Sequence, residues 1–555
     1  MTILIFISFN FIVYLIGRGF FILINFSHQN FNTIENKKFL NIELKYYFPI
    51  FSLFLIGNLT VLINFFLPVK KEYFLFIILF LLLFNLKNLK FFHSKQYKFY
   101  YFIIFPALLS ISSYSIKFAS DAGLYHLNTQ AWIKQEKIHL GLVSLHSRYG
   151  YSSIFDYISA NFWLENNFIL LHFLNLIFIN IFFFMLYRNL VSKENSYIKN
   201  LSFLIVLFGS LDNFGIGGGR NGFIDIEAVT KYDSVFAIMF FITALGLSDL
   251  IKENKKNNDY LSIITCFLIF TIQLRVFGYV LLLFYFLYIF KNIESVPKYF
   301  KNKIFNLTLV FYLLWLVKNL MISGCLVFPQ PITCLNNISW AGKKIAINES
   351  IELQNFHISF NLNEGILIWF QNWMNKPINK SVLINYLLSV LFIYLFNKLS
   401  FKITNINQVK FPMFLGVFYI FSLVIWILSS PGIRFILGLL LFSFYFISFK
   451  YENFEFRFII LQKLQTILFL ATFIFSLIFL LRIEFYKSFL ENSVKLSQIT
   501  VPEIEYVNNP SGWGVINIDN SSACWINIEC LPEKSNVIFI DNFYNSFNLI
   551  ESKNK

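Results

Sequence analysis

The residues best suited to catalysis lie in one polar interval, 118–167, of a chain that is otherwise largely apolar. Asp121 opens this interval, and three of the seven histidines and one arginine follow it: His126, His139, His146 and Arg148. A carboxylate can take a proton from a reacting hydroxyl, and cations can stabilise the charge on a leaving group. We therefore expect the catalytic centre in this interval.

Asp121 is the candidate base. We expect a helix from about Asp121 to Glu136 with Ser120 as its cap. In such a helix Tyr125 is an i, i+4 neighbour of Asp121, whereas His126 is turned by roughly 140° at 3.6 residues per turn. An aspartate in a first turn is also favoured by the helix dipole alone. The position of Asp121 directly after a predicted membrane span favours the catalytic interpretation.

Other charged residues stand at the predicted outer ends of membrane spans. Asp233 opens one hydrophobic segment, Arg275 lies between two of them, and Arg434 follows the turn 430–432. Arginine suits phosphate because its guanidinium group binds two oxygens at once. Snorkelling of a basic side chain at a helix end is the alternative interpretation for each arginine.

A glycine-rich stretch, 215–222, carries Arg220 and precedes Lys231. No strand is predicted before it, so it does not match the nucleotide-binding P-loop. Two interpretations remain open, a plain flexible outer loop and a loop that closes over a lipid phosphate.

The composition indicates a polytopic membrane protein. Hydrophobic residues make up 57% of the 555 residues and charged residues only 14%, whereas soluble domains carry about 25% charged residues. The net charge of +15 does not indicate a nucleic-acid partner, because the lysines fall in short runs between hydrophobic segments, as the positive-inside rule expects.

The hydrophobic pattern predicts an all-α protein with about 13–14 transmembrane helices of roughly 20 residues each. The candidate spans are 3–25, 47–67, 72–87, 99–117, 168–187, 200–214, 233–250, 259–274, 276–291, 304–322, 382–399, 411–429, 433–449 and 463–482. With the lysine-rich loops inside, both termini lie outside. The outer loops are then 118–167, 215–232, 323–381 and 430–432, followed by the tail.

Four regions follow from this pattern. Residues 1–98 form N-terminal membrane helices, and 99–330 form the core that contains the outer loop 118–167. Residues 331–482 combine an outer loop with the C-terminal membrane helices. The tail 483–555 alternates short apolar and polar runs, from which we expect a small α/β module. In the second loop, Phe360–Trp373 fits either an interfacial amphipathic helix anchored by its tryptophans or plain loop packing.

Four of the five cysteines lie in predicted outer segments, in two close pairs: Cys325 with Cys334, and Cys524 with Cys530. Because disulfides persist in oxidising compartments, we expect both pairs to be bonded, with free thiols as the alternative. Their spacing fits neither a zinc site nor a redox motif.

The segment Asp121-Ala122-Gly123-Leu124-Tyr125-His126-Leu127 resembles the D-A-x-x-Y-H-L motif of bacterial polytopic proteins in the GT-C glycosyltransferase superfamily. The run 145–150 resembles its continuation in a branch from surface-polysaccharide loci. Residues 231–236 match a second acid that opens a later span. The resemblance covers about 99–330. The chain departs from the superfamily in having three spans before the one that leads into the catalytic loop.

The resemblance implies an inverting glycosyltransferase in the bacterial cytoplasmic (inner) membrane, active on its extracytoplasmic face. A polyprenyl-phosphate sugar would be the donor, and a glycan, lipid or protein the acceptor. Asp121 and Asp233 would be catalytic, and either could bind a divalent metal. The substrate-binding residues would be Tyr125, His126, His146, Arg148, Arg220, Lys231, Arg275 and Arg434.

Three alternatives remain open from the sequence. A polysaccharide polymerase or ligase would depend on outer-loop arginines more than on Asp121. A flippase or transporter of lipid-linked glycans would place charged residues near mid-membrane, where only Arg18 and Lys318 fall. A scaffold without catalytic activity is the third.

Overall fold

The structure is a computed structural model of the chain. It describes residues 1–24, 35, 37–85, 95–119, 121–192, 197–213, 228–253, 258–360, 365–402, 413–450, 455–456, 483–509, 514–518, 523–531, 537–544 and 547–552.

Helices dominate the described residues. In chain order they are α1 Thr2–Ile24, α2 Phe48–Asn64, α3 Lys71–Leu83, α4 Lys95–Phe99, α5 Phe105–Ser110, α6 Leu127–Gln135, α7 Ile154–Ser159, α8 Ile169–Val191, α9 Tyr197–Asn213, α10 Asp233–Glu253, α11 Asn258–Leu274, α12 Val280–Lys291, α13 Val296–Tyr299, α14 Lys303–Ser323, α15 Lys343–His357, α16 Ile366–Met374, α17 Pro377–Ser400, α18 Met413–Ser429, α19 Leu437–Lys450 and α20 Ile483–Asn492.

The strands are short and form two-stranded sheets. The antiparallel pairs are β1 Lys38–Phe39 with β2 Ile42–Glu43, β5 Phe401–Lys402 with β6 Glu455–Phe456, β7 Tyr506–Asn508 with β8 Val515–Asn517, and β9 Val537–Tyr544 with β10 Phe547–Ser552. The parallel pair is β3 Lys117–Phe118 with β4 Ala228–Val229.

Five helices in the described part of the chain are long and apolar enough to cross a membrane: Thr2–Ile24, Leu44–Asn64, Ile169–Val191, Asp233–Ile251 and Lys303–Ser323. Six shorter apolar helices accompany them. The prediction of a mostly helical protein with several long apolar helices is therefore confirmed. The count of 13–14 spans and their orientation stay predictions, and the span 463–482 lies outside the described residues.

The centre of the bundle is formed by α8 and α10. In each of these helices, 94% of the residues in the most apolar 18-residue stretch are buried inside the protein, whereas the value for α14 is 33%. The two central helices meet through aromatic rings, as in the edge-to-face pair Phe182 and Phe241 at 5.9 Å. The abundant phenylalanines thus pack helix against helix, which is how large apolar rings contribute most.

The predicted span 99–117 is not one continuous α-helix. It begins as α4, widens into a π-helical turn over Tyr100–Ile104, continues as α5 and ends in a 3-10 turn over Ile111–Tyr114. Pro106 accounts for the change, because it has no N–H to donate and its ring crowds the preceding turn. The chain therefore reaches Asp121 through an interrupted helix.

The parallel pair of β3 and β4 links the two acidic segments. Lys117 and Phe118 pair with Ala228 and Val229, and the Ala119 N–H donates to the Val229 carbonyl at 3.1 Å. Asp121 and Asp233 follow these strands within a few residues. This small sheet, which the hydrophobic pattern did not predict, holds both aspartates at one end of the bundle.

The expected amphipathic helix in the second outer loop is shorter than predicted. It begins at Ile366 as α16, and residues 361–364 lie outside the described part of the chain. Trp369 and Trp373 are buried, and their indole N–H groups donate to the Ile358 and Pro431 carbonyls. Both tryptophans therefore bind protein backbone rather than standing exposed as anchors.

The described residues of the tail form a helix and short strands, and some of these strands contact the main hydrophobic core. The Ile550 N–H donates to the Leu140 carbonyl, and Leu140 N–H donates to the Asn548 carbonyl. Ile550 is fully buried in the main hydrophobic core. The tail strands thus pack on the interval 118–167, because each two-stranded sheet is too small to bury an apolar face by itself.

Candidate functional site

A cavity of about 1870 Å³ lies where the loops 121–151 and 327–341 meet the ends of α10, α11, α12, α18 and α19. Seven of the ten predicted site residues outside the cysteines come from two segments, 121–148 and 231–233, and the segments around Arg275 and Arg434 add two more. Nine of these ten line the cavity: Asp121, Tyr125, His126, His146, Arg148, Lys231, Asp233, Arg275 and Arg434. The tenth, Arg220, lies outside the described residues.

Asp233 forms the centre of a cationic cluster. It is the first residue of α10, and its carboxylate lies 2.5 Å from Nη2 of Arg275 and 4.0 Å from Nη1 of Arg434. Arg275 has an extended backbone conformation and connects α11 to the 3-10 turn 276–279. Arg434 lies in the 3-10 turn 433–435. Phe435 packs near both guanidinium groups, at 4.6 and 5.0 Å.

Asp121 forms a second cluster, shaped by a π-helical turn. The turn spans Ala122–His126 and precedes α6, so the expected single α-helix from 121 to 136 is corrected to a wider turn followed by a shorter helix. In a π-helix residues five apart come together. His126 Nε2 therefore lies 3.9 Å from Asp121 Oδ2 instead of pointing away, and the Tyr125 hydroxyl donates to the same oxygen at 3.0 Å.

His126 connects Asp121 to a buried carboxylate that the sequence analysis missed. Its Nδ1 lies 3.3 Å from Asp156 Oδ1, and both side chains are nearly inaccessible, at 6% and 5% exposure. Gln130 donates to the same Asp156 oxygen. His126 therefore lies between two acids while also lining the cavity, and its role as a substrate-binding residue stays a prediction.

The charges around Asp121 set its ionisation. Burial raises the pKa of Asp121, but the His126 charge, the Tyr125 hydroxyl and Lys231 outweigh it and hold the pKa below its ordinary value. Burial lowers the pKa of His126, yet Asp156 and Asp121 raise it by more. Asp121 is thus an ionised carboxylate at neutral pH, with 24% of its side chain exposed.

The two clusters lie side by side. The Tyr232 ring stands between them, 5.5 Å from the His126 ring and 5.4 Å from the Arg275 guanidinium. Lys231 joins the same wall, and its carbonyl accepts a hydrogen bond from Asn175 of α8. Asp121 and the arginines therefore face one space.

Arg148 pairs with Glu349, a second carboxylate that was not predicted from the sequence. Its Nε lies 3.0 Å from Glu349 Oε1, and the Tyr151 hydroxyl donates to that same oxygen at 3.0 Å. The Glu349 side chain on α15 is fully buried. His146 caps the turn that carries Arg148, since its Nδ1 accepts from the Arg148 N–H. His139, by contrast, is buried against Trp132 and does not line the cavity.

The donor set around Asp233 does not fit a metal centre. Among the described residues, no group of three or more His, Cys, Asp or Glu side chains is placed to hold an ion. Both oxygens of Asp233 face guanidinium cations, and Asp121 Oδ2 already accepts from Tyr125. A divalent cation beside Asp233 would therefore meet two positive charges.

Both expected disulfides are present, Cys325–Cys334 and Cys524–Cys530. The first closes a loop that places Phe328 in the cavity wall. The second closes a loop of the tail that contacts the turn 122–126 after Asp121. There the Cys524 and Trp525 N–H groups both donate to the Gly123 carbonyl at 2.8 Å.

The described residues define the class: a mostly helical protein in which several helices are long and apolar enough to cross a membrane, with a charged cavity among their connecting loops. The chain belongs to the family described as a domain of unknown function, DUF8201, whose model matches residues 1–441. No curated protein and no solved structure matches the chain. The matched residues include every cavity-lining residue named above, whereas the tail loop on Gly123 lies beyond them.

Proposed function

We propose that the protein is a GT-C-type glycosyltransferase of the bacterial cytoplasmic membrane. It transfers a sugar from a polyprenyl-phosphate donor to a glycan, lipid or protein acceptor on the extracytoplasmic face. The observation that carries the proposal is the shared cavity: Asp121, which can take a proton, lines the same space as Arg275 and Arg434, which can hold a phosphate.

The proposed reaction is a single displacement with inversion. The acceptor hydroxyl loses its proton to the Asp121 carboxylate as its oxygen bonds to the anomeric carbon of the sugar. The bond from that carbon to the phosphate oxygen breaks, and the polyprenyl phosphate leaves with the electron pair. Asp121 suits this role because it is ionised and partly exposed at once.

Arg275 and Arg434 supply the charge that the leaving phosphate needs. The two guanidinium groups share one carboxylate, that of Asp233, so one positive charge remains for the ligand. Arg434 is 44% exposed and can turn toward a phosphate, whereas Arg275 is fixed by its close contact with Asp233. In this proposal Asp233 orients the arginines instead of binding a metal or the acceptor.

An apolar wall suits the lipid part of the donor. Val280 and Leu283 of α12 and Phe421 and Ile425 of α18 line the cavity beside the charged residues. Phe421 is 44% exposed. A polyprenyl chain can lie between these two helices while its phosphate reaches the arginines.

The rival functions draw less support. Lys318 and Arg18, the residues that a transporter would use near mid-membrane, do not line the cavity. Lys318 is fully buried and donates to the Ser152 carbonyl, and Arg18 pairs with Glu35. An arginine-dependent polymerase or ligase is separated from the proposal by the experiment that follows.

Replacing Asp121 by asparagine keeps the side chain's shape and removes the base. Membranes containing wild-type protein or Asp121→Asn would be supplied with radiolabelled polyprenyl-phosphate sugars extracted from the source's own membranes. Loss of label from the polyprenyl-phosphate sugar to any other carrier would be measured by chromatography. We expect transfer to fall by about 10²–10⁴-fold, while binding of polyprenyl phosphate is unchanged.

Asp259→Asn is the matched control, because Asp259 pairs with Lys37 at an exposed site and does not line the cavity. It should leave transfer at the wild-type level. Full transfer by Asp121→Asn would refute the proposal, and loss of transfer only in Arg434→Ala would favour the arginine-dependent polymerase or ligase.

A further inference from the structure

The cavity is larger than one ligand requires. Its volume is about 1870 Å³, whereas a single small-molecule site measures about 300–1,000 Å³. The cluster of Asp233 with its two arginines occupies one part of the lining. Much of the remaining polar lining comes from the segment 144–151 and from α15. A second ligand therefore has room beside the donor.

At the centre of this second part of the lining, Arg148 pairs with the carboxylate of Glu349. Glu349 is fully buried, and its Oε1 is shared by Arg148 and Tyr151. The fixed contact to Arg148 is through Nε, and the Arg148 side chain keeps 31% of its surface exposed. The other charged residues of this part of the lining, Lys344 and Glu352, are of opposite sign. Together with Arg148 and the buried Glu349 they leave no net charge here, in contrast to the two arginines that share Asp233.

We propose that Arg148, Glu349 and Tyr151 form the acceptor subsite, and that it takes a neutral, hydroxyl-rich ligand, the end of an uncharged glycan. This inference rests on the proposed function and narrows its acceptor class from glycan, lipid or protein to neutral glycan. Glu349 is a positioning residue, since it does not reach the ligand, whereas Arg148 contacts it.

The chemistry of the cluster matches sugar hydroxyls. The planar guanidinium donates several hydrogen bonds in a fixed geometry, and with its charge balanced by Glu349 it has no excess attraction for an anion. Aromatic rings adjoin it: Arg148 lies 5.9 Å from the Tyr151 ring, and Phe328 packs edge-on to Tyr151 at 5.4 Å. The faces of sugar rings are apolar and pack well on such side chains.

Tyr125 places this subsite beside the base. Its hydroxyl donates to Asp121 at 3.0 Å. Burial and the Asp121 charge raise the pKa of Tyr125, while the Arg148 charge acts on the same hydroxyl in the opposite direction. A glycan held by Arg148 can thus present a hydroxyl to Asp121 across the Tyr125 side chain.

Saturation-transfer NMR on the full-length protein in lipid nanodiscs tests the subsite. The probes are lactose, cellobiose and chitobiose as neutral disaccharides, a uronate-containing disaccharide as the charged comparison, and polyprenyl phosphate for the donor site. We expect saturation of at least one neutral disaccharide in wild-type protein, weaker saturation of the uronate, and loss of the neutral signal in Arg148→Ala. Polyprenyl phosphate binding should persist in Arg148→Ala and weaken in Arg434→Ala.

Two further variants keep the test decisive. Arg148→Lys retains the charge but lacks the planar group, so it should lose most of the disaccharide signal even where Arg148→Ala fails to fold. Glu349→Gln keeps the shape and should weaken the disaccharide signal less than Arg148→Ala. Its residual binding should shift toward the uronate, because Arg148 is then no longer neutralised, a change that a purely structural role would not produce.

Three results would overturn the subsite: no neutral disaccharide is saturated, the uronate is preferred by wild-type protein, or Arg148→Ala weakens polyprenyl phosphate binding as much as Arg434→Ala does. These outcomes differ from failure of the proposed function. If Asp121→Asn retains full transfer while the Arg148-dependent disaccharide signal stands, the cavity binds neutral glycans but Asp121 is not the base.

Discussion

Asp121 carries the proposed proton transfer, and His126 is the neighbour that controls its charge. His126 faces Asp121 and Asp156 through its two ring nitrogens, and Tyr125, Tyr232 and the Arg275 charge surround it. The two acids favour its protonated form. An imidazolium at this position stabilises the Asp121 carboxylate that burial alone would neutralise.

Replacing His126 by glutamine should move the acidic limb of the pH–rate profile to higher pH. Without the imidazolium charge one of the causes that lower the pKa of Asp121 is lost and that pKa rises, so the proposed base is protonated over more of the acidic range. The measurement is the initial transfer rate across pH in wild-type and variant membranes. An acidic limb that stays in place, with only a lower plateau, would contradict this role for His126.

The same pair makes folding stability depend on pH in two opposite ways. The pKa of His126 is raised on folding, so its contribution is complete below the unfolded value and is lost as pH rises through the folded one. The pKa of Asp121 is lowered, so its contribution is present above the unfolded value and is lost as pH falls through the folded one.

The sequence could predict some residues of the site and not others. Asp121, Asp233, Arg275 and Arg434 were identifiable because charges at the ends of apolar spans fall at similar depths. Asp156 could not be recognised, since a single acid in a polar loop gives no periodic signal. Glu349 is similar: its partner Arg148 comes from a distant loop, and only the folded structure brings the two together.

At the scale of elements, the Asp121 turn is held from outside by the tail. The Gly123 carbonyl accepts from two tail N–H groups, and Asn128 of α6 donates to the Asn527 carbonyl at 2.6 Å. The Trp525 ring covers Gly123 and packs edge-on to Phe118 at 5.2 Å. The base is thus positioned by a segment far from it in sequence.

Gly123→Ala should loosen this contact. A Cβ at Gly123 would lie 2.6 Å from Cε2 of Trp525, a ring atom with no freedom to bend away. Overpacking of this kind costs about 1–3 kcal/mol. We expect a lower unfolding temperature in scanning fluorimetry and faster proteolytic release of the tail.

Trp525→Ala in the same chain provides the control. Because it removes the obstructing ring, the double variant should be destabilised by less than the sum of the two single variants. Additive effects would show that the alanine acts elsewhere than against Trp525.

Some elements could be predicted from their own residues, whereas others depend on contacts with distant parts of the chain. Apolar runs predicted the helices well, because an α-helix satisfies its own backbone hydrogen bonds within the segment. The π-helical turn at 122–126 and the pairing of β3 with β4 were not predictable, since each depends on packing between distant segments. The tail was expected as a small α/β module, and its docking on Gly123 and Leu140 could not be predicted, because it leaves no pattern in the tail itself.

At the scale of the whole molecule, the bundle separates an apolar body from a polar cavity. The aromatic core around α8 and α10 holds the helix ends, and the loops between them bring acids and arginines from five parts of the chain into one space. The cavity therefore combines a wall of apolar helix residues with a charged lining. Such a division suits a substrate that has a lipid chain and a polar head.

The central claim is that this cavity seats the donor phosphate at the arginines and the sugar at Asp121. A cryo-electron microscopy structure of Asp121→Asn in nanodiscs with a bound polyprenyl-phosphate sugar tests it most directly. We expect the phosphate within hydrogen-bond distance of Arg275 and Arg434, the lipid chain along Val280 and Phe421, and the anomeric carbon facing Asn at position 121. A donor bound elsewhere on the protein, or bound in the cavity with its phosphate away from both arginines, would contradict the claim.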